Sequence, residues 1–252
     1  MILTSDGTYT LYSKEFEQNY HSAKEGALNE SLSKHIIPAL TYHKEKKELN
    51  ILDICFGIGY NTLATLYYIK QNNLDIKVNI FSPEFDKELL LSLKDFNYPD
   101  EFKEFQNIID ILSSKLYYKD ENITIEIFNG DAREYIQNLN STTKETKGFD
   151  IVYQDAFSSD VNRLLWTQEY FKEISSILSD DAIITTYSIA TPIRLSIYNN
   201  DLKIYEYKPE NSNRITIALN KKEIHKDINY KYIDMELKQQ RNKTAKALKD
   251  KD

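Results

Sequence analysis

The sequence predicts an α/β fold, a mostly parallel sheet of seven strands with helices on both faces. Three observations lead there. Apolar segments alternate between strand-like and helix-like periodicity through the middle of the chain. Acids and glycines punctuate the ends of successive strand segments. The last two strand segments follow one another with no helix between them, which suggests an antiparallel edge.

The elements read in order as follows. Leu49–Phe56 is a short apolar run with an acid inside it, and Tyr60–Gln71 carries Leu63, Leu66, Tyr67 and Ile69 at helical spacing. Ile76–Phe81 alternates as a strand, and Asp86–Phe96 reads as a helix with Leu89, Leu90, Leu91 and Leu93. Ile123–Phe128 is β-branched, and the helix at Asp131–Leu139 has Asp131 as its N-cap. Phe149–Gln154 and Ala182–Tyr187 are strands around a helix at Trp166–Leu178. Pro192–Tyr198 is a helix with proline in its first turn, and Lys203–Tyr207 and Arg214–Leu219 are the final strands. Three parts lie outside this rhythm. Residues 1–48 hold a hairpin turning at Asp6-Gly7 and an extension, residues 97–120 look like an inserted helix pair, and residues 221–252 end in a Lys-rich tail expected to fray or to form a surface helix. The domain itself is expected over residues 49–220.

Composition narrows the function. Apolar residues make up 41% of the 252, enough to bury a sizeable core. The net charge of −7 argues against a general polyanion binder, because phosphate affinity comes from many Lys and Arg contacts. Cys55 is the single cysteine and cannot form an internal disulfide, and no Cys/His cluster has zinc spacing, so no metal is expected. Without a secretory leader or a long apolar run, a cytoplasmic location is expected. There are only six glycines, so each position carries weight.

Four strand ends carry the chemical signals. After the first, Asp53 precedes a turn with Gly57 and Gly59, and a helix follows. A dinucleotide loop would want a third glycine where Thr62 stands. The second strand ends at Glu84, which can accept from ribose hydroxyls or cap the next helix. Asp131 follows the third, as a ligand acid or a simple cap, and Asp155 ends the fourth beside Phe157. Ligands of open α/β sheets bind at this carboxyl edge, and four such ends suit one shared ligand better than four accidents. With no phosphate-binding motif, the pattern suits an adenosine bearing a cationic group, as in S-adenosyl-L-methionine.

The motif Asp53-x-x-x-Gly57-x-Gly59 with Glu84 and Asp131 resembles the Rossmann-like, class I S-adenosyl-L-methionine-dependent methyltransferases. The finer resemblance rests on Tyr20-His-Ser22, Gly26-Ala-Leu-x-Glu30, Leu52 to Asn61, Gly130-Asp-Ala-Arg133, Asp155-Ala-Phe-Ser158, Leu165-Trp-Thr167 and Thr186-Tyr-Ser188. In that order they resemble the methyltransferase half of the bacterial tRNA 5-methylaminomethyl-2-thiouridine biosynthesis family. The chain departs from that family at Cys55, Ser159 and Arg163-Leu164. The resemblance implies a methyltransferase standing alone, without the family's FAD oxidoreductase domain. It implies methyl transfer to the 5-aminomethyl group of the (2-thio)uridine at the tRNA wobble position, with a separate enzyme making that group. The cofactor set it implies is Tyr20, Glu30, Asp53, Phe56, Gly57, Gly59, Asn61, Glu84, Asp131, Ala132 and Asp155, with Asp155 also the catalytic acid. Phe157, Trp166 and Tyr187 are expected to stack on a splayed base, or else to pack in the core. Arg194 and Arg214 are expected to meet tRNA phosphates, or else to form surface pairs, and the Lys-rich tail adds to a local basic face.

Two other readings compete. The start of the chain with Tyr20-His21 also resembles spermidine synthases, although Cys55-Phe-Gly-Ile-Gly lacks their glycine-rich acidic loop. A non-catalytic cofactor or tRNA binder is the other, and the presence of Asp155 argues against it.

Overall fold

The computed structural model describes residues 1–142, 148–220 and 229–251. Its main sheet consists of β1 (Glu48–Ile54), β2 (Lys77–Glu84), β3 (Tyr117–Lys119), β4 (Ile123–Asn129), β5 (Phe149–Gln154), β6 (Leu178–Thr186), β7 (Lys203–Tyr207), β8 (Ile215–Leu219) and β9 (Lys231–Tyr232). The order across the sheet is β9-β7-β8-β6-β5-β1-β2-β4-β3. Neighbours from β6 to β4 are parallel. The outer pairs are antiparallel. The seven expected strands are the inner ones, and β3 and β9 are short additions at the two edges. The chain starts in the centre at β1, builds outward through β2 to β4, then returns to β5 beside β1. That reversal opens the crevice where ligands of such sheets sit.

Strand alternation divides the core. Leu49 and Ile51 of β1 pack on one face with the helix Tyr60–Gln71, whereas Leu52 and Ile54 pack on the other. The second face is covered by the helices Ala132–Thr142, Gln168–Ser175 and Thr191–Tyr198. The alternation continues to Asp53, which points toward the helix Tyr60–Gln71 rather than into the crevice. Helix starts follow capping chemistry. Asp86 accepts from the Leu89 amide at 2.9 Å, and Thr167 from the Tyr170 amide at 3.2 Å. The expected helix at 166–178 is therefore confined to Gln168–Ser175.

The ends of the chain are more ordered than expected. The single expected hairpin is two, pairing Ile2–Leu3 with Tyr9–Thr10 and Tyr12–Ser13 with Gln18–Asn19. The insertion at 97–120 is a 3-10 turn (Asp100–Phe105), a helix (Gln106–Lys115) and strand β3. The first eight residues of the C-terminal extension, 221–228, lie outside the described residues. Beyond them the Lys-rich tail does not fray. After the helix Met235–Arg241, Leu248 accepts from the Gln168 amide at 2.8 Å and donates its own to Ser196 Oγ at 2.9 Å. Asp250 then takes Thr167 Oγ1 at 2.7 Å and the Arg133 guanidinium at 2.9 Å. Among the described residues no helix is long and apolar enough to cross a membrane.

Candidate active site

The carboxyl ends of β1, β2, β4 and β5 open into one cavity of about 430 Å3, within the size range of small-ligand sites. Its floor is the loop after β1. Cys55, Gly57 and Gly59 all have positive φ, at 67°, 56° and 77°. A Cβ on Gly59 would stand 2.9 Å from the Phe56 ring, and one on Gly57 3.1 Å from the ring of Tyr20. The loop is clamped to β2: Glu84 Oε2 accepts from the Gly57 amide at 2.8 Å, and Oε1 from the Asp86 amide at 2.9 Å. Burial raises the Glu84 pKa, opposed by those amides. Asp131 caps the helix Ala132–Thr142, its Oδ1 accepting from the Arg133 and Glu134 amides, both at 2.9 Å. Asp131 thus takes the capping role, and it also lines the cavity.

Asp155 is held from two sides. Asn61 Nδ2 donates to Oδ2 at 3.0 Å, and His35 Nε2 faces Oδ1 at 3.4 Å. Burial would raise the Asp155 pKa, but the two histidines nearby and the Asn61 amide outweigh it and hold it below the usual carboxylate range. Asp53 lies behind it, fully buried, accepting from Thr62 Oγ1 at 2.9 Å and Asn61 Nδ2 at 3.3 Å. There burial wins, and the Asp53 carboxyl is pushed up to about 7.

The roof comes from the N-terminal extension. Gln18 clasps the loop after β5, donating to Ser158 Oγ at 2.6 Å and accepting from the Ser158 amide at 3.2 Å. Phe16 stacks on Phe157 with centroids 4.7 Å apart, and Tyr20 meets Phe157 edge-on at 5.0 Å. Glu30 accepts from the Ser22 amide at 2.6 Å and pairs with Lys34 at 2.7 Å.

Of the residues expected from the sequence, the cavity brings together Tyr20, Glu30, Phe56, Gly57, Asn61, Glu84, Asp131, Ala132, Asp155, Phe157 and Tyr187. It does not bring in Asp53, Gly59, Trp166, Arg194 or Arg214. Asp53 lies behind the loop against Thr62 and Asn61, and Gly59 ends the loop as the cap of the following helix. Trp166 is fully buried, with its indole N–H donating to the Phe157 carbonyl at 2.7 Å, so it backs the wall and offers no face to a base. Tyr187 meets it edge-on and gives its hydroxyl to the Ala156 carbonyl at 2.9 Å. Arg194 is only 2% exposed and is committed to Thr216 and Glu206. Arg214 is exposed and pairs with Glu206 at 3.4 Å. The expectation that Arg194 meets phosphates is therefore corrected, because its guanidinium is enclosed in the protein, held by Thr216 and Glu206, where a tRNA backbone does not reach it. The sequence reading missed Phe16, Gln18 and His35, and quoted Ser158 in a motif without giving it a role. Their partners lie far away in the chain.

A buried glycine-floored crevice with an acid at the second strand end defines the scaffold of Rossmann-like S-adenosyl-L-methionine-dependent methyltransferases. A family described as S-adenosyl-L-methionine-dependent methyltransferase matches residues 101–222. The chain is 31% identical over 225 residues to an uncharacterized protein of Methanocaldococcus jannaschii, covering 86% of this chain and 58% of that one. It is 24% identical over 194 residues to the tRNA 5-methylaminomethyl-2-thiouridine biosynthesis bifunctional protein MnmC of Psychrobacter cryohalolentis, covering 67% of this chain and 27% of that protein. The chain thus spans little more than half the length of the first curated relative and about a quarter of the second. The crystal structure of MnmC2 from Aquifex aeolicus superposes with a TM-score of 0.76 at 28% identity, covering 88% of this chain and 70% of that one. The chain is similar to MnmC proteins, as its motifs suggested, and the cofactor of the matched family is S-adenosyl-L-methionine.

The cavity suits that group. It is lined by Glu15, Glu30, Glu84, Asp131 and Asp155 and, among the described residues, by no Lys or Arg, which favours a sulfonium and an ammonium over a phosphate. Asn61 Oδ1 is buried without a hydrogen-bond partner, an acceptor left for a donor from the ligand. Glu84 keeps lone pairs for ribose hydroxyls after accepting its two amides.

Proposed function

We propose that the protein is a tRNA N-methyltransferase that converts the 5-aminomethyl group of the wobble (2-thio)uridine to 5-methylaminomethyl. The observation that carries this reading is Asp155, oriented by Asn61 at the wall of a cavity lined, among the described residues, by no Lys or Arg, in a chain similar to MnmC. When bound, S-adenosyl-L-methionine supplies an electrophilic methyl group. The acceptor must approach as a neutral amine, although alkylamines hold their proton at neutral pH. Asp155 accepts a hydrogen bond from the amine, aims its lone pair and receives its proton directly or through water. As the new N–C bond forms, the donor's S–C bond would break, leaving a neutral thioether while positive charge arrives on the nitrogen, and a carboxylate fixed beside it lowers the barrier. The low pKa of Asp155 keeps it charged for this purpose. Phe157 and Tyr187 supply aromatic wall for a splayed base, with Phe16 stacked behind Phe157.

The tRNA backbone must be met outside the acidic cavity. The docked tail supports this: the Lys249 carbonyl accepts from Arg163 Nε at 3.3 Å, beside the cavity residues Asn162 and Leu165. Lys243, Lys246, Lys249 and Lys251 are exposed along it. Transfer of labelled methyl from S-adenosyl-L-methionine to tRNA carrying 5-aminomethyl-2-thiouridine tests the reading. Label in the wobble nucleoside is expected; label or aminopropyl transfer to a polyamine, with none in tRNA, overturns it.

A further inference from the structure

The helix of the N-terminal extension changes pitch where it passes the active site. Ala27–Ser31 and Ile37–Tyr42 are α-helical, but Leu32–Ile36 between them is a π-helical turn, with the Ile37 amide reaching the Leu32 carbonyl. Such a turn inserts an extra residue and redirects side chains, and it is found mostly at functional sites. Here it delivers His35, which is fully buried. Its Nδ1 lies 2.8 Å from Thr185 Oγ1 on β6. Its Nε2 faces Asp155 Oδ1 at 3.4 Å and has no hydrogen-bond partner of its own. A buried ring nitrogen left without a partner is costly unless it serves a neighbour.

We propose that Thr185 and His35 form a positioning relay for Asp155. The Thr185 hydroxyl donates to Nδ1, which leaves the proton on Nε2, aimed at Asp155 Oδ1. Asn61 secures Oδ2 from the other side. The carboxylate is thereby locked in rotation, with its free lone pairs turned to the cavity. His35 lines no part of the cavity, so it acts through Asp155 and not on the acceptor. The groups facing this pair from the other elements are Asp53 on β1, Cys55 after it, Tyr153 on β5 with its ring 5.7 Å from His35, and His21 and Tyr187.

The proposal rests on Asp155 being the catalytic carboxylate, and its test has an arm that needs no acceptor. In the full chain labelled with 13C at the aspartate carboxyls, the Asp155 signal is identified by its loss in Asp155→Asn and followed with pH. His35→Leu is expected to raise the titration midpoint of Asp155 about ten-fold in proton affinity, the lower end of the effect of losing a close donor. Thr185→Val, which keeps the shape and removes the hydroxyl, is expected to shift it in the same direction by less. His35→Gln, which returns an N–H donor near Nε2, is expected to restore most of it. On the labelled-tRNA assay, His35→Leu is expected to lower kcat by about ten- to a hundred-fold with the acceptor KM little changed, and His35→Gln to recover part of that loss. An Asp155 midpoint that stays at its wild-type value in folded His35→Leu or Thr185→Val overturns the relay. So does equal kcat for His35→Leu and His35→Gln. If the wild-type chain methylates no tRNA, the functional reading fails, and the titration still decides the relay.

Discussion

The two halves of the cavity are built on different principles. The cofactor half comes from the ends of β1, β2 and β4, where Gly57, Gly59, Glu84 and Asp131 sit within a turn of their own strands. The half proposed for the acceptor is assembled from segments distant in the chain: Gln18 with Ser158, Phe16 with Phe157, and His35 with Asp155. The difference teaches that the half proposed for the donor is set by local chain geometry, whereas the half proposed for the acceptor depends on the N-terminal extension folding over it. Two carboxyls mark the contrast within a few ångströms. Asp53 and Asp155 share Asn61, yet burial pushes one up to about 7 and neighbouring donors hold the other down.

The sharpest way to separate the halves is Asp155→Asn. Turnover is expected to fall by at least about a hundred-fold, the scale for losing a positioned acid–base group. Calorimetry should find donor affinity changed by little, because the loop after β1 and Glu84 are untouched. Near wild-type turnover would break the assignment of the acceptor half.

The reverse disturbance is Gly59→Ala. At φ 77° a Cβ costs about 1–2 kcal/mol, and here it also meets the Phe56 ring at 2.9 Å. Donor affinity is expected to drop about ten-fold, equivalent to about 1.4 kcal/mol. Normal calorimetric binding of S-adenosyl-L-methionine by this variant would show that the loop does not form the donor's floor.

A smaller effect is expected outside the cavity. Replacing Lys246, Lys249 and Lys251 together by Gln should weaken tRNA binding several-fold and flatten its salt dependence, by roughly 0.7–0.9 in log–log slope for each phosphate that is no longer neutralised. Donor affinity should not move. A filter-binding series with an unchanged slope would place the RNA backbone elsewhere.

The same division explains what the sequence disclosed. The sheet was legible because β-branched runs and helical spacings repeat strongly, and the helix Tyr60–Gln71 matches its expected bounds. The glycine loop and the acids at the strand ends were legible because they act through their own turns. Arg194 misled, because nothing local distinguishes a phosphate ligand from a guanidinium buried against Glu206. Trp166 takes the core-packing alternative and Arg214 the surface pair. His35 was invisible because the π-helical turn that aims it has no sequence signature of its own, and Asp155 stands 120 positions away. The docked tail was hidden by its lysines, since its anchors are the small contacts of Leu248 and Asp250.

Asp53→Asn gives the smallest expected change in turnover and the clearest thermodynamic signature. A carboxyl whose folded pKa lies near 7 keeps a proton that the unfolded chain, with a pKa of about 4, has already released. Its contribution to stability is fully present below about pH 4 and is lost as pH rises through about 7. The asparagine side chain is neutral throughout and can still accept from Thr62 Oγ1 through its carbonyl oxygen, so it should remove that slope. Urea unfolding followed between pH 4 and 7 should find the wild type losing up to about 1.4 kcal/mol per pH unit from this group and the variant losing less. Asp155 contributes the opposite sign over the acid range, since its folded pKa is depressed and its stabilisation is lost as pH falls. The two variants should therefore tilt the stability profile in opposite directions. Parallel profiles for Asp53→Asn and Asp155→Asn would mean that the two carboxyls titrate as one unit rather than as a buried acid and a charged partner.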